Sequence, residues 1–152
     1  VMLGPQDDYF APETIAEFLN ATWRIDARSD RMAYALDGPR LTHLRGHDVI
    51  SDGAAMGAVQ IPGSGAPFVL MADRQPTGGY PKLATVIGTD LGRLAQLRPG
   101  ETLRFRRVTW DEAVEARRAL RHALDAAADG PRLTSESLLM ENLVGGVISA
   151  RD

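Results

Sequence analysis

The chain has 152 residues, 44% hydrophobic and 24% charged, with a net charge of −3, a profile that suits one globular domain. No cysteine is present, which excludes disulfides, thiolate nucleophiles and cysteine-based zinc sites and fits a reducing, cytoplasmic setting. The absence of a basic excess argues against nucleic acid as the partner, and no run reaches the ~20 apolar residues of a membrane span.

The opening Val-Met-Leu-Gly-Pro-Gln-Asp-Asp reads as the interior of a longer polypeptide. Residues 4–9 form a turn-rich, acidic entry. The first helix is expected over 11–22, because Pro12 suits a first turn, Glu13 faces the positive helix end, and Ile15, Phe18 and Leu19 fall at i, i+3, i+4. Trp23, Ile25 and Ala27 alternate with polar residues as in a half-buried strand, and Met32, Tyr34 and Leu36 repeat the pattern until Asp37-Gly38-Pro39 breaks it.

Residues 41–52 carry no clear period. Ala54 to Ile61 is apolar, Pro62 to Gly65 is a turn, and the runs 67–72 and 83–88 read as short buried strands. Residues 89–97 predict a short helix capped by Thr89 and stopped at Arg98-Pro99-Gly100. Leu103, Phe105 and Val108 mark a strand over 101–108. Thr109 and Glu112 have the spacing of a capping box, which opens the longest helix, about 110–128, ended by Gly130-Pro131. A short helix is expected at 136–143. Five to seven short strands with peripheral helices predict a mainly β fold, a closed or half-closed barrel.

The chemistry concentrates in "RQPTGGYPK", residues 74–82. Of 17 basic residues 16 are arginine, and Lys82 is the lone lysine. Lysine is a compact charge that can give up its proton when desolvated, which arginine cannot. Asp73, Arg74, Gln75, Thr77, Tyr80 and Lys82 cluster between two apolar strands, where binding groups concentrate. Gly78-Gly79 lets the main chain approach a ligand, although a plain hairpin turn uses the same pair, and Pro81 stiffens the exit. Gln60, at a strand end, is either a pocket amide or an exposed one. Arg31 is either a carboxylate clamp or the partner of Asp30 or Asp26.

Other motifs point away from common chemistries. His43 and His47 have i, i+4 spacing, but Gly46 and the weak helical signal oppose a metal pair, and no metal is expected. Ser64 does not match a nucleophile elbow, and no Gly-Lys-Ser/Thr phosphate cradle follows "GSGAPF".

Four stretches in one order carry a resemblance: "GPQDDYF" (4–10), "SDRMAYALDGP" (29–39), "GAVQIPGSGAPFVLMADRQPTGGYPKLATVI" (57–87) and "DLGRLAQLRPGETLRFRRVTWDEA" (90–113). Together they resemble the allophanate hydrolase subunit 2 family, also called KipA-like or biotin-dependent carboxyltransferase, which includes the C-type 5-oxoprolinase subunit. The resemblance covers about residues 2–115. It implies two cyclophilin-like β-barrel halves, with this chain similar to the C-terminal one. On that reading the barrel spans 1–110, a helix at 110–130 packs on it, and a tail occupies 131–152.

The family's pocket motif falls here on Gln60, Asp73, Gln75, Thr77, Gly78, Gly79, Tyr80, Pro81 and Lys82, with Arg31 in a further matching element. Lys82, Tyr80 and Gln75 are the implied catalytic positions, and the others contact substrate. The chain departs from the pattern at Asp30, Ala33, Pro76, which removes an N–H and a hydroxyl, and Asp52, where the family favours Glu.

By resemblance the partners are a KipI-like subunit 1, the N-terminal barrel half and a LamB/YcsF-type subunit, with a small amide as substrate. ATP serves the complex, and biotin would ride on a separate carrier. The first expected function is ATP-dependent opening of 5-oxoproline, or allophanate hydrolysis. The alternatives are biotin-dependent carboxyl transfer to urea or a small amide, and a non-catalytic KipA-like regulator that binds its KipI-like partner.

Overall fold

The computed structural model describes residues 1–128; the expected tail at 131–152, its helix at 136–143 and the Gly130-Pro131 stop lie outside the described residues. Two compact units divide the chain, Val1–Arg117 and a second that begins at Arg118.

The first unit begins with β1 (Met2–Leu3), a single 3-10 turn (Asp7–Tyr9) and α1 (Pro12–Asn20). Phe18 of α1 is fully buried, with Ile15 and Leu19 packed on the same core, as their spacing predicts. β2 (Trp23–Ile25) buries Trp23 and Ile25 and exposes Arg24. The Trp23 ring stands so close under Gly38 that a side chain there would meet it at 2.6 Å. Its indole N–H donates to the Phe18 carbonyl at 3.0 Å, closing α1 onto the sheet.

β3 (Ala33–Asp37), β4 (Asp52–Gly53), β5 (Ala58–Gln60), β6 (Phe68–Leu70), β7 (Thr77–Gly78) and β8 (Lys82–Thr85) follow. Then come α2 (Gly88–Leu94), β9 (Thr102–Leu103) and α3 (Trp110–Ala128). α2 starts one residue before Thr89, and its N-cap, Ile87, makes no side-chain hydrogen bond. The capping box of α3 is present: Thr109 Oγ1 accepts from the Glu112 N–H at 3.2 Å, and Glu112 accepts from the Thr109 N–H at 2.7 Å. Within the second unit the helix continues to Ala128, where Arg121 pairs with Asp125 one turn on. No helix among the described residues is long and apolar enough to cross a membrane.

Seven strands form one antiparallel sheet in the order β1-β8-β5-β6-β3-β2-β9, while β4 and β7 pair separately. This corrects the expected cyclophilin-like closed barrel. The fold is mixed α/β, a curled, open half-barrel with substantial helix, since helices of 9, 7 and 19 residues stand against strands of two to five. Each edge strand has only two residues, and no ladder joins β1 to β9. The residue 101–108 run is strand only at Thr102–Leu103, where it pairs with β2, while Arg106 and Val108 further on bond the main chain of Val1. Phe18 of α1 and Leu94 of α2 join the core in place of a closing strand.

The sheet has two faces, and alternation assigns its residues. Val59, Ile61, Val69 and Leu36 belong to the main core with Phe18, Trp23 and Phe105. Each such apolar side chain withdrawn from water contributes roughly 1.5–3 kcal/mol. Ala58 and Leu70 belong to a second, smaller cluster with Ala54, against which Ala33 and Phe68 pack.

Candidate functional site

Gln60 follows Ala58 by two residues, so it points to the side of the smaller cluster. In register it faces Lys82 across β5 and β8, and a bulge between Val59 and Gln60 shifts the ladder there. Both side chains are buried, Gln60 at 3% and Lys82 at 3% exposure. Two polar groups are buried at a sheet position because β4 and β7 roof it. Gly78 of β7 lies directly over the Gln60 amide, since a side chain at Gly78 would stand 2.6 Å from Gln60 Nε2. Asp52 of β4, the register partner of Gly78, reaches Lys82 Nζ at 3.4 Å.

A cavity of about 500 Å³ opens beside this roof. Its apolar side is Met32, Ala33, Phe68 and Leu70, and its polar side is Gln60, Arg74, Gln75 and Thr77, with Gly78, Gly79 and Tyr80 between. Tyr80 meets Phe68 edge to face at 6.2 Å and 88°. Buried donors normally find partners, yet Gln60 Nε2 has none among the described residues. Leaving such a donor unmatched costs about 1–3 kcal/mol.

Of the residues expected in the site, Gln60, Gln75, Thr77, Gly78, Gly79 and Tyr80 line this cavity together. Lys82 stands behind the wall, engaged with Asp52. Pro81 is fully buried and its carbonyl accepts from the Ile61 N–H at 3.1 Å. Arg31 and Asp73 pair at 3.0 Å on the exposed surface, so the arginine's partner is Asp73 rather than Asp30 or Asp26. Asp30 instead accepts from the N–H groups of Met32 and Ala33. Pro76 leaves the roof intact, because its ladder role is as an acceptor: the Ala54 N–H donates to its carbonyl at 2.8 Å.

Sequence reasoning did not assign Asp52 a role. Its carboxyl is held below the ordinary carboxylate value, first by the Gly53 N–H it accepts and then by Lys82. The available signal was the acidic residue at a position where the resembling family favours Glu. Phe68 and Leu70 were legible as strand but not as cavity wall, because which face of a buried strand meets a cavity depends on what covers it. His43 lies in a non-helical segment, with Nε2 3.0 Å from the Ile61 carbonyl and its ring 5.0 Å from that of Phe10.

Residues 1–107 match the family model described as carboxyltransferase domain, subdomain A and B. The chain is 47% identical over 96 residues to the C-type 5-oxoprolinase subunit of Haemophilus influenzae, covering 63% of this chain and 31% of that protein. It is 37% identical over 114 residues to the C-type 5-oxoprolinase subunit of Escherichia coli, covering 75% of this chain and 37% of that protein. It thus spans about a third of the length of these curated relatives. Among solved structures it resembles the K. lactis urea amidolyase, with a TM-score of 0.75 and 25% identity over 90% of this chain and 9% of that one.

Proposed function

The chain belongs to the family of carboxyltransferase domains, subdomain A and B, and we propose that its cavity holds a small amide or ureido compound for transfer of a carboxyl group to nitrogen. The observation that carries this reading is the buried, unmatched Gln60 amide on a half-apolar cavity. An N–H donor enclosed by protein suits a neutral carbonyl oxygen, and it also favours an oxygen that gains negative charge as its carbonyl is attacked.

A ureido ring fits these residues: it is flat, neutral and carries one carbonyl, matching Gln60 and the Tyr80–Phe68 wall. Biotin on a separate carrier would supply the carboxyl group. ATP does not fit them. The lining offers one guanidinium, Arg74, whose Nε already donates to the Ala54 carbonyl, and a carboxylate, Asp48. No step is assigned to ATP on this chain.

The chain's own residues then bind and orient. Gln60 donates to the substrate oxygen, and Tyr80 and Phe68 fix the plane of the bound group. Gly78 and Gly79 leave room for close approach, and Gln75 and Thr77 add polar contacts. Lys82 acts as a positioning residue, holding Asp52 and with it the roof. Arg31 and Asp73 brace the loop from outside. The other barrel half, a KipI-like subunit and a LamB/YcsF-type subunit are the partners this reading invokes.

A second reading, ATP-dependent opening of 5-oxoproline, is favoured by the identity to two proteins named as 5-oxoprolinase subunits. In it, Gln60 meets the lactam carbonyl, and ATP binds elsewhere in the complex.

The test uses the assembled protein with its partner subunits, the biotin carrier, and a biotin carboxylase with ATP to load the carrier from bicarbonate. Label from bicarbonate should move to urea or a small amide in a biotin-dependent way, and Gln60→Leu should slow it by ~10²–10³-fold. Opening of 5-oxoproline without biotin would replace the first reading with the second. An assembled complex active on none of these substrates would leave a KipA-like regulatory role.

A further inference from the structure

The roof over the candidate site is bonded to itself rather than to the sheet beneath it. β4 and β7 pair only with each other. Past the strand ends the pairing continues: the Ala54 N–H donates to the Pro76 carbonyl and the Val49 N–H to the Gly79 carbonyl, both at 2.8 Å. Among the described residues, every bond between main-chain groups of 49–54 and 76–79 runs from one of these segments to the other. A two-stranded pair on its own is marginal in water. Two side chains outside the roof bond to it. Arg74 Nε donates to the Ala54 carbonyl at one end, at 2.9 Å, and Lys82 Nζ reaches Asp52 in the middle, at 3.4 Å.

The chain is firmly held where it leaves the roof. The Gly57 N–H donates to the Leu70 carbonyl at 2.7 Å, the Asp73 N–H to the Arg31 carbonyl at 3.0 Å, and the Ile61 N–H to the Pro81 carbonyl at 3.1 Å. Short stretches lie between these anchors and the roof: Ala55 and Met56, Gln75, and Tyr80. On the remaining side the Leu44 N–H is fixed on the Tyr9 carbonyl at 2.7 Å. A few residues at the ends of elements are enough to act as hinges.

What the roof covers gives such a motion its consequence. Gln60 Nε2 is shut off from solvent and has no partner among the described residues. Gly78 presses on it, since a Cβ there would stand 2.6 Å away. A ligand oxygen needs about 2.9 Å from a nitrogen donor, so none fits between them while the roof is down. The unmatched donor is a penalty on the closed state alone, because lifting the roof lets water or a ligand meet it. Lifting also separates Lys82 from Asp52, whose side chain is already 61% exposed to water.

We propose that the β4–β7 roof is a gate, shut in this structure, which lifts as one piece to admit a ligand to Gln60, with the Lys82–Asp52 pair as its latch. This rests on the reading above that the Gln60 amide meets the ligand's carbonyl oxygen.

Hydrogen exchange of the labelled 152-residue chain, followed by NMR and corrected for intrinsic rates, tests the gate without any ligand. The main-chain amides of Val49 and Ala54 and the side-chain amide of Gln60 should share one opening. Their protection should agree within about threefold and lie at least ~100-fold below that of the Val59 and Ala84 amides of the main sheet. Asp52→Asn should speed all three by about two- to fivefold and leave Val59 and Ala84 unchanged. Roof amides as protected as the main sheet, or a Gln60 side chain that exchanges faster than the roof, overturn the proposal. An Asp52→Asn effect confined to one of the three also overturns it. Imidazolidin-2-one, a cyclic urea, then probes the ligand reading separately. Bound beneath a lifted roof, it should speed exchange at Val49 and Ala54 while slowing it at the Gln60 side chain relative to them. The shared opening without any response to the cyclic urea supports the gate and counts against the ureido reading.

Discussion

Gln60 and Lys82 face one another across the β5–β8 bulge, both buried, and only one of them has a side-chain partner. Lys82 is answered by Asp52 under the roof strand, whereas the Gln60 amide nitrogen is closed in beneath Gly78 with no partner among the described residues. The fold thus encloses two polar groups at one position, one paired with the roof strand and one without a partner among the described residues.

If the Gln60 amide is a site rather than a structural contact, removing it should help the free protein. Gln60→Leu is expected to raise unfolding stability by about 1 kcal/mol, because an unmatched buried donor disappears. Urea unfolding of the free chain reads this directly. A loss of stability would mean that the amide is satisfied in solution and is not waiting for a ligand.

The Lys82–Asp52 pair is asymmetric, with side-chain exposures of 4% and 61%. Asp52→Ala leaves an ammonium group buried without its carboxylate, whereas Lys82→Met leaves a carboxylate that water already reaches. The aspartate variant should therefore unfold at the lower urea concentration. The opposite order would show that the ammonium escapes to solvent and does not hold the roof.

Gly4 packs against β8 so closely that a side chain would stand 2.2 Å from the Lys82 carbonyl oxygen. The contact is main chain, which cannot swing aside. Gly4→Ala should cost about 1–3 kcal/mol, with amide protection lost at Met2 and Leu3. Unchanged protection there would contradict the close approach of Gly4 to the Lys82 carbonyl.

Asp26 is lowered from 3.8 to about 2, first by the Arg28 side chain that donates to it and then by the Arg28 N–H. Its folded-state value lies below its unfolded one, so the stability it contributes is full above 3.8 and is lost as pH falls toward about 2. Asp26→Asn should be less stable than wild type near neutral pH, with the gap closing across that acid window. A gap that persists at the acid end would assign the effect to something other than ionisation.

What the sequence determined by itself is local. The apolar spacing of Ile15, Phe18 and Leu19 makes α1, the Thr109–Glu112 reciprocal cap starts α3, and alternation buries Trp23 and Ile25 around Arg24. The loop at 74–82 was legible as a polar, Gly-Gly interruption between two apolar strands, and Gln75, Thr77, Gly78, Gly79 and Tyr80 of it line the cavity. β1, β4 and β7 were not legible, since two-residue strands have no period and exist only through their partners. Tertiary structure decided three things. It left the sheet open, because helices cover the core where a closing strand would stand. It moved Lys82 from the cavity into the wall, because Asp52, thirty positions away, reaches it from the roof. It left Gln60 unmatched beneath Gly78. Each follows from what covers a surface, and coverage comes from distant segments, whereas periodicity and capping act between near neighbours along the chain.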